Sequence, residues 1–128
     1  MPGFRIQGLD HVALSVIDLD RSAAFYADVL GLERAHGEWD EPVFMVAEGT
    51  GLALFSQGSH PPSGDPRAKP PARMLHVAFR VDRAGFDTAR SDLDDRGIET
   101  KFSDHGSAHS IYFDDPDGHK VELTTYEV

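Results

Sequence analysis

The sequence predicts an α+β fold in which one domain of 128 residues is built from two βαβββ modules. Three observations predict it. LDHVALSV at 9–16 returns as LHVAFRV at 75–81, with His11 and His76 at matching positions 65 residues apart. Each copy is followed by a stretch of helical periodicity. Each helix is followed in turn by three short strand patterns, and SIYFDDPDGHKVELTTYE at 110–127 reads as a hairpin whose alternation is broken by a DPDG turn.

Taken in order, the first strand is 9–16. The segment DLDRSAAFYADVLG then carries Ala23, Tyr26, Val29 and Leu30 at helical spacing, with Asp18 or Asp20 as the cap and Gly31 to close it. Strands are expected at 32–36, 43–47 and 51–56. The stretch 57–73 holds five of the eight prolines, and a residue without an N–H cannot serve a sheet ladder, so it is a semi-rigid connection. The second module begins at the repeated strand. DRAGFDTARSDLDDRG follows as a helix with Phe86, Ala89 and Leu93 inward and Gly97 at its end, and strands are expected at 98–103, 109–113 and 120–126. The modules therefore span about 9–56 and 74–127.

Side chains alternate faces along a strand, so parity sorts the chemistry. Val12, Leu14 and Val16 share one face, as do Val77, Phe79 and Val81, and these apolar faces belong against the helices. His11 and His76 then point to the other side, each with a small alanine, Ala13 or Ala78, two residues on. In the last strand Val121 and Leu123 face the helix, which puts Glu122 and Thr124 on the histidine side. A carboxylate in a half-buried strand is costly without compensation. A divalent cation shared by His11, His76 and Glu122 is the expected compensation, and two histidines plus one carboxylate form the open triad associated with Fe(II), a site that Mn, Ni or Zn can also fill.

Composition narrows the function classes. A formal charge of -10 opposes nucleic acid and anionic membranes, which are bound through Lys and Arg. No long apolar run or signal-peptide pattern is present, so a soluble, cytoplasmic protein is expected. The absence of cysteine excludes disulfides, thiolate nucleophiles and Cys-type metal sites.

DHVALSVIDLDRSAAFYADVLGL, LHVAFRV and YFDDPDGHKVEL together resemble the vicinal oxygen chelate superfamily of glyoxalases, bleomycin-resistance proteins, fosfomycin-resistance proteins and extradiol dioxygenases. The resemblance runs from Leu9 to Tyr126. It implies a curved, barrel-like mixed sheet around a central metal cavity and carries the ligand role onto His11, His76 and Glu122.

Within the family, glyoxalase I places a glutamate where this chain has Ala53, the residue aligned with Glu122. Bleomycin-type binders generally lack the triad. Fosfomycin-resistance proteins share the hairpin but usually carry a threonine where Ala13 stands and an arginine beyond the ligand glutamate, where this chain stops at Val128. The extradiol pattern is matched by His105, Ile111, Tyr112, Asp115, Pro116, Gly118 and Glu122, with Ser103 as the departure. By that resemblance His60 moves protons and Tyr112 hydrogen-bonds a substrate oxygen, while His105, His109, Ala13 and Ala53 line the pocket. The favoured expectation is an Fe(II) ring-cleaving dioxygenase acting on a small catechol-like substrate with vicinal oxygens. The alternatives are a glyoxalase-type lyase or isomerase, a thiol-transfer resistance enzyme, or a non-catalytic antibiotic-binding protein. A homodimer is expected, because modules this small leave sheet edges to cover. His36 and Trp39 either line the pocket mouth or cover the core, and His119 is read as a solvated turn residue.

Overall fold

The computed structural model describes residues 3–5, 7–57 and 74–128. The chain divides into two compact units, Met1–Ser63 and Gly64–Val128, and the division falls inside the Pro-rich connection.

The first unit runs β1 (His11–Val16), α1 (Leu19–Asp28), β2 (Glu33–Ala35), β3 (Val43–Ala47) and β4 (Thr50–Ser56). Its sheet has the order β1-β4-β3-β2, with β1 parallel to β4 and the remaining pairs antiparallel. The second unit repeats this plan with β5 (Val77–Arg80), α2 (Arg83–Asp95), β6 (Lys101–Asp104), β7 (His109–Asp114) and β8 (Lys120–Thr125), in the order β5-β8-β7-β6. Both modules therefore have the predicted βαβββ order and α+β class.

Local chemistry accounts for the boundaries. Asp18 caps α1 by accepting from the Arg21 N–H at 3.0 Å, and Asp82 caps α2 by accepting from Gly85 at 2.7 Å. Gly31 and Gly97 adopt φ values of 70° and 73°, which lets the chain turn out of each helix. The Leu32 N–H then bonds the Tyr26 carbonyl and the Ile98 N–H the Leu93 carbonyl. That second bond ties Ile98 to the helix end, so β6 begins at Lys101 rather than at 98.

α1 ends at Asp28, before Val29 and Leu30, and it buries Ser22 and Tyr26. The small serine lets the helix approach its sheet closely. α2 buries Phe86 and Leu93 as its periodicity predicts. Tyr26 packs in a core with Val16, Leu52 and Leu54, and Phe86 in one with Ile111, Phe113 and Val121, all at 2% exposure or less. Each such side chain contributes roughly 1.5–3 kcal/mol on burial. These cores hold the helix faces of the sheets and leave the opposite faces for chemistry.

The DPDG turn sets the register of the β7–β8 hairpin. The Asp115 carboxylate accepts from the N–H groups of Asp117 and His119 at 2.9 and 2.8 Å, and Gly118 takes φ 86°. The resulting pairing puts Tyr112 directly opposite Glu122 and Ser110 opposite Thr124.

Candidate metal centre

In the second unit, β5 and β8 are parallel partners with Ala78 beside Glu122. His76 precedes Ala78 by two positions and shares its face, and its Nε2 lies 3.1 Å from Glu122 Oε1. Glu122 is 8% exposed while the His76 side chain is 40% exposed. The other carboxylate oxygen, Oε2, accepts from the fully buried Ser110 hydroxyl at 2.7 Å. Thr124 Oγ1 stands 3.1 Å behind that hydroxyl. Glu122 is thus held at one oxygen and presents the other toward the histidine.

Tyr112 borders the same pair. Its ring meets that of His76 edge-on at 5.8 Å, and its hydroxyl lies 3.2 Å from His105 Nε2. Burial raises the Tyr112 phenol above its ordinary value, and the negative charge and hydrogen bond of Glu122 raise it further, while the Ser110 hydroxyl works the other way.

The first unit repeats the scaffold with different side chains. Ala53 pairs with Ala13 and Phe44, so it occupies the register position of Glu122, and Phe44 occupies that of Tyr112. His11 meets Phe44 edge-on at 5.1 Å, as His76 meets Tyr112. Its Nδ1 lies 2.7 Å from Asp10 Oδ2, a contact that holds the ring. Ala13 is exposed on this face and Ala53 is fully covered.

Among the described residues, neither unit by itself gathers three His, Asp or Glu side chains at one point. The second unit brings together two of the three predicted ligands, and His11 belongs to the first. A spacing test can be applied to the pair. Two donors placed cis on an octahedral ion with bonds of about 2.1 Å lie about 3.0 Å apart. The 3.1 Å separation of His76 Nε2 and Glu122 Oε1 is that of a direct ion pair and is also compatible with that edge. Imidazole and carboxylate are also the donors that Mn, Fe, Ni and Zn accept.

The remaining predicted site residues divide. His105 reaches the ligand face through Tyr112. His109 does not, which corrects the expectation that it lines the pocket. It shares a face with Ile111 and Phe113, accepts from Arg83 Nη1 at 2.8 Å, and packs beside Phe86 and Phe102. Strand parity already places it there. His60 lies outside the described residues. Ser110, which the sequence reading passed over, supplies the support for Glu122; its parity with Tyr112 was visible, but its partner depends on the hairpin register.

Comparison with known proteins follows the same lines. The Glyoxalase/Bleomycin resistance protein/Dioxygenase superfamily profile matches residues 8–123. The chain is 33% identical over 123 residues to the metallothiol transferase FosB of Staphylococcus saprophyticus, covering 94% of this chain and 78% of that protein. Among solved structures it is similar to lactoylglutathione lyase from Agrobacterium tumefaciens, with a TM-score of 0.74, 27% identity and 94% of each chain covered. It is also similar to the fosfomycin resistance protein FosX from Listeria monocytogenes, with a TM-score of 0.69, 27% identity and 94% of each chain covered.

Proposed function

The chain belongs to the glyoxalase/bleomycin resistance protein/dioxygenase superfamily, and from that membership and the geometry of Glu122 we propose that it is a divalent-metal enzyme that adds a low-molecular-weight thiol to a small electrophile bearing neighbouring oxygens. The observation that carries the reading is the Glu122 carboxylate, fixed by Ser110 at one oxygen and offered to His76 at the other. The relatives favour thiol chemistry over ring cleavage. Metallothiol transferase and lactoylglutathione lyase both have a thiol in their names, and the first also has a metal. Thiol transfer therefore moves ahead of the extradiol reading and of its preference for Fe(II), and Mn, Ni and Zn stand level with iron.

In this reading His11, His76 and Glu122 hold the ion. When bound, it supplies Lewis-acid polarisation of two adjacent substrate oxygens. The chain's own residues do the rest. Ser110 and Thr124 orient Glu122, and Asp10 orients His11. Tyr112, linked to His105, hydrogen-bonds the substrate oxygen that gains charge as the thiol sulfur bonds to carbon and the carbon–oxygen bond opens, and that oxygen takes up the proton released by the thiol. Ala13 stands where fosfomycin-resistance proteins usually carry threonine, so the reading stops at the class of electrophile. We also infer a homodimer, because β1 and β2 are the edges of one sheet and β5 and β6 of the other. Light scattering at micromolar concentration should give twice the chain mass, and a monomer would remove this inference.

The test is thiol consumption. Protein loaded with Mn(II) and mixed with glutathione or cysteine and a panel of small epoxides and dicarbonyls should form an adduct detected by mass. His76→Ala and Glu122→Gln should abolish both the adduct and tight metal binding. Oxygen uptake with catechols and no loss of thiol would overturn the proposal in favour of a dioxygenase.

A further inference from the structure

The two halves of the repeat can be compared position by position, because the register of each sheet fixes which residues correspond. Around His76 the ligand face carries Tyr112, Glu122 and Thr124. The corresponding positions around His11 carry Phe44, Ala53 and Phe55. At these three positions a hydrogen-bonding side chain of one half is replaced by a carbon surface in the other, while Ser15 keeps a hydroxyl at the position that corresponds to Arg80.

That surface continues into the turn after β2. The Trp39 N–H bonds the His36 carbonyl at 3.0 Å, with His36 at φ 54°, a left-handed conformation uncommon outside glycine. The turn stacks the His36 and Trp39 rings at 4.4 Å and 15°. Both rings meet Phe44 near-perpendicularly, at 5.3 Å from His36 and 5.7 Å from Trp39, and Phe44 meets His11 at 5.1 Å. The aromatic series thus begins at an assigned metal ligand and ends at a tryptophan that is 42% exposed. A residue of this size left open to water forgoes a large apolar contribution unless something covers it.

We propose that the His11 half is a hydrophobic wall for a planar apolar substituent of the substrate, so that the substrate class is an oxygen chelate with an aryl or similarly flat group rather than a compact phosphonate. The proposal rests on the metal-site reading above. A molecule coordinated next to His11 must lie along Phe44, and the positions nearest the histidine, Phe44, Ala53 and Phe55, offer it ring and methyl carbon and no cationic side chain for a second charged group. His36 and Trp39 set the far end, and Ala53 leaves the floor flat.

Two hydroxamates with the same chelating head test it. Benzohydroxamate and acetohydroxamate differ only in a phenyl or methyl tail, and Trp39, the single tryptophan, reports occupancy by its own fluorescence. On the Mn(II)-loaded protein benzohydroxamate should bind about tenfold more tightly or better, with quenching of Trp39. Trp39→Ala and Phe44→Tyr, followed by calorimetry, should each bring the ratio of affinities toward unity; the wild-type ratio stands as a test even where a variant fails to fold. Equal binding of the two hydroxamates to metal-loaded protein would overturn the wall and leave the metal reading intact. Failure of Mn(II) itself to bind would overturn both. Quenching that follows protein concentration rather than benzohydroxamate would assign the wall to a second copy of the chain and end the proposal.

Discussion

Replacing Ser110 with alanine removes one hydroxyl from a fully buried position and takes away the donor that faces Glu122 Oε2 at 2.7 Å. Glu122 is 8% exposed, so water replaces that donor poorly. A hydrogen bond to a charged group is worth about 1.5–3 kcal/mol, and leaving a buried carboxylate oxygen short of a donor costs an amount of that order. For a chain of this size, about 2 kcal/mol lowers the melting temperature by roughly 5–10 °C in the metal-free protein. The metal-binding consequence is separate. Without Ser110 the carboxylate loses one of the groups that fix it, and loss of such an outer support lowers metal affinity about 10–100-fold. Melting followed by circular dichroism measures the first effect, and competition with a fluorescent chelator for Mn(II) measures the second. Ser110→Thr, which keeps the hydroxyl, should retain most of the affinity. An alanine variant with unchanged melting and unchanged Mn(II) affinity would refute the role given to this hydrogen bond.

Three further substitutions test other parts of the reasoning. Gly51→Ala places a methyl group against the Met45 carbonyl and the Val46 side chain inside a paired strand, so denaturant titration should show a loss of about 1–3 kcal/mol. His109→Ala removes the acceptor of Arg83 Nη1 and the packing beside Phe86, so it should destabilise by about 1–2 kcal/mol while Mn(II) affinity stays within about twofold of wild type. Asp10→Asn weakens the contact that holds the exposed His11 ring, and chelator competition should show about a tenfold loss of metal affinity at most.

Much of this arrangement was legible in the residues. The repeat and strand parity placed His76 and Glu122 on one face, because a period of two leaves no freedom once the apolar face is known, whereas Tyr112 came in through the resemblance to the extradiol pattern. The same rule applied to His109 sends it toward α2. Grouping His109 with His105 as pocket-lining ignored a signal already present. What parity does not contain is distance across strands. Ser110 becomes the partner of Glu122 only through the register that Asp115 and Gly118 impose, and the contact of Trp39 with Phe44 depends on the left-handed turn at His36. The start of β6 was misjudged because Ile98 is apolar enough for a strand yet completes the C-terminal turn of α2.

The alanine at position 53 has a consequence in charge balance. Two neutral imidazoles and one carboxylate leave a divalent ion with one net positive charge, whereas a glutamate at the equivalent register of the first module would neutralise it. The proposed centre therefore remains electrophilic toward anions although the chain around it carries a formal charge of -10. A singly deprotonated oxygen chelate completes that balance, while a neutral chelate leaves a bare charge and a doubly charged one overshoots. Selection by charge thus begins with an alanine that contributes no charge.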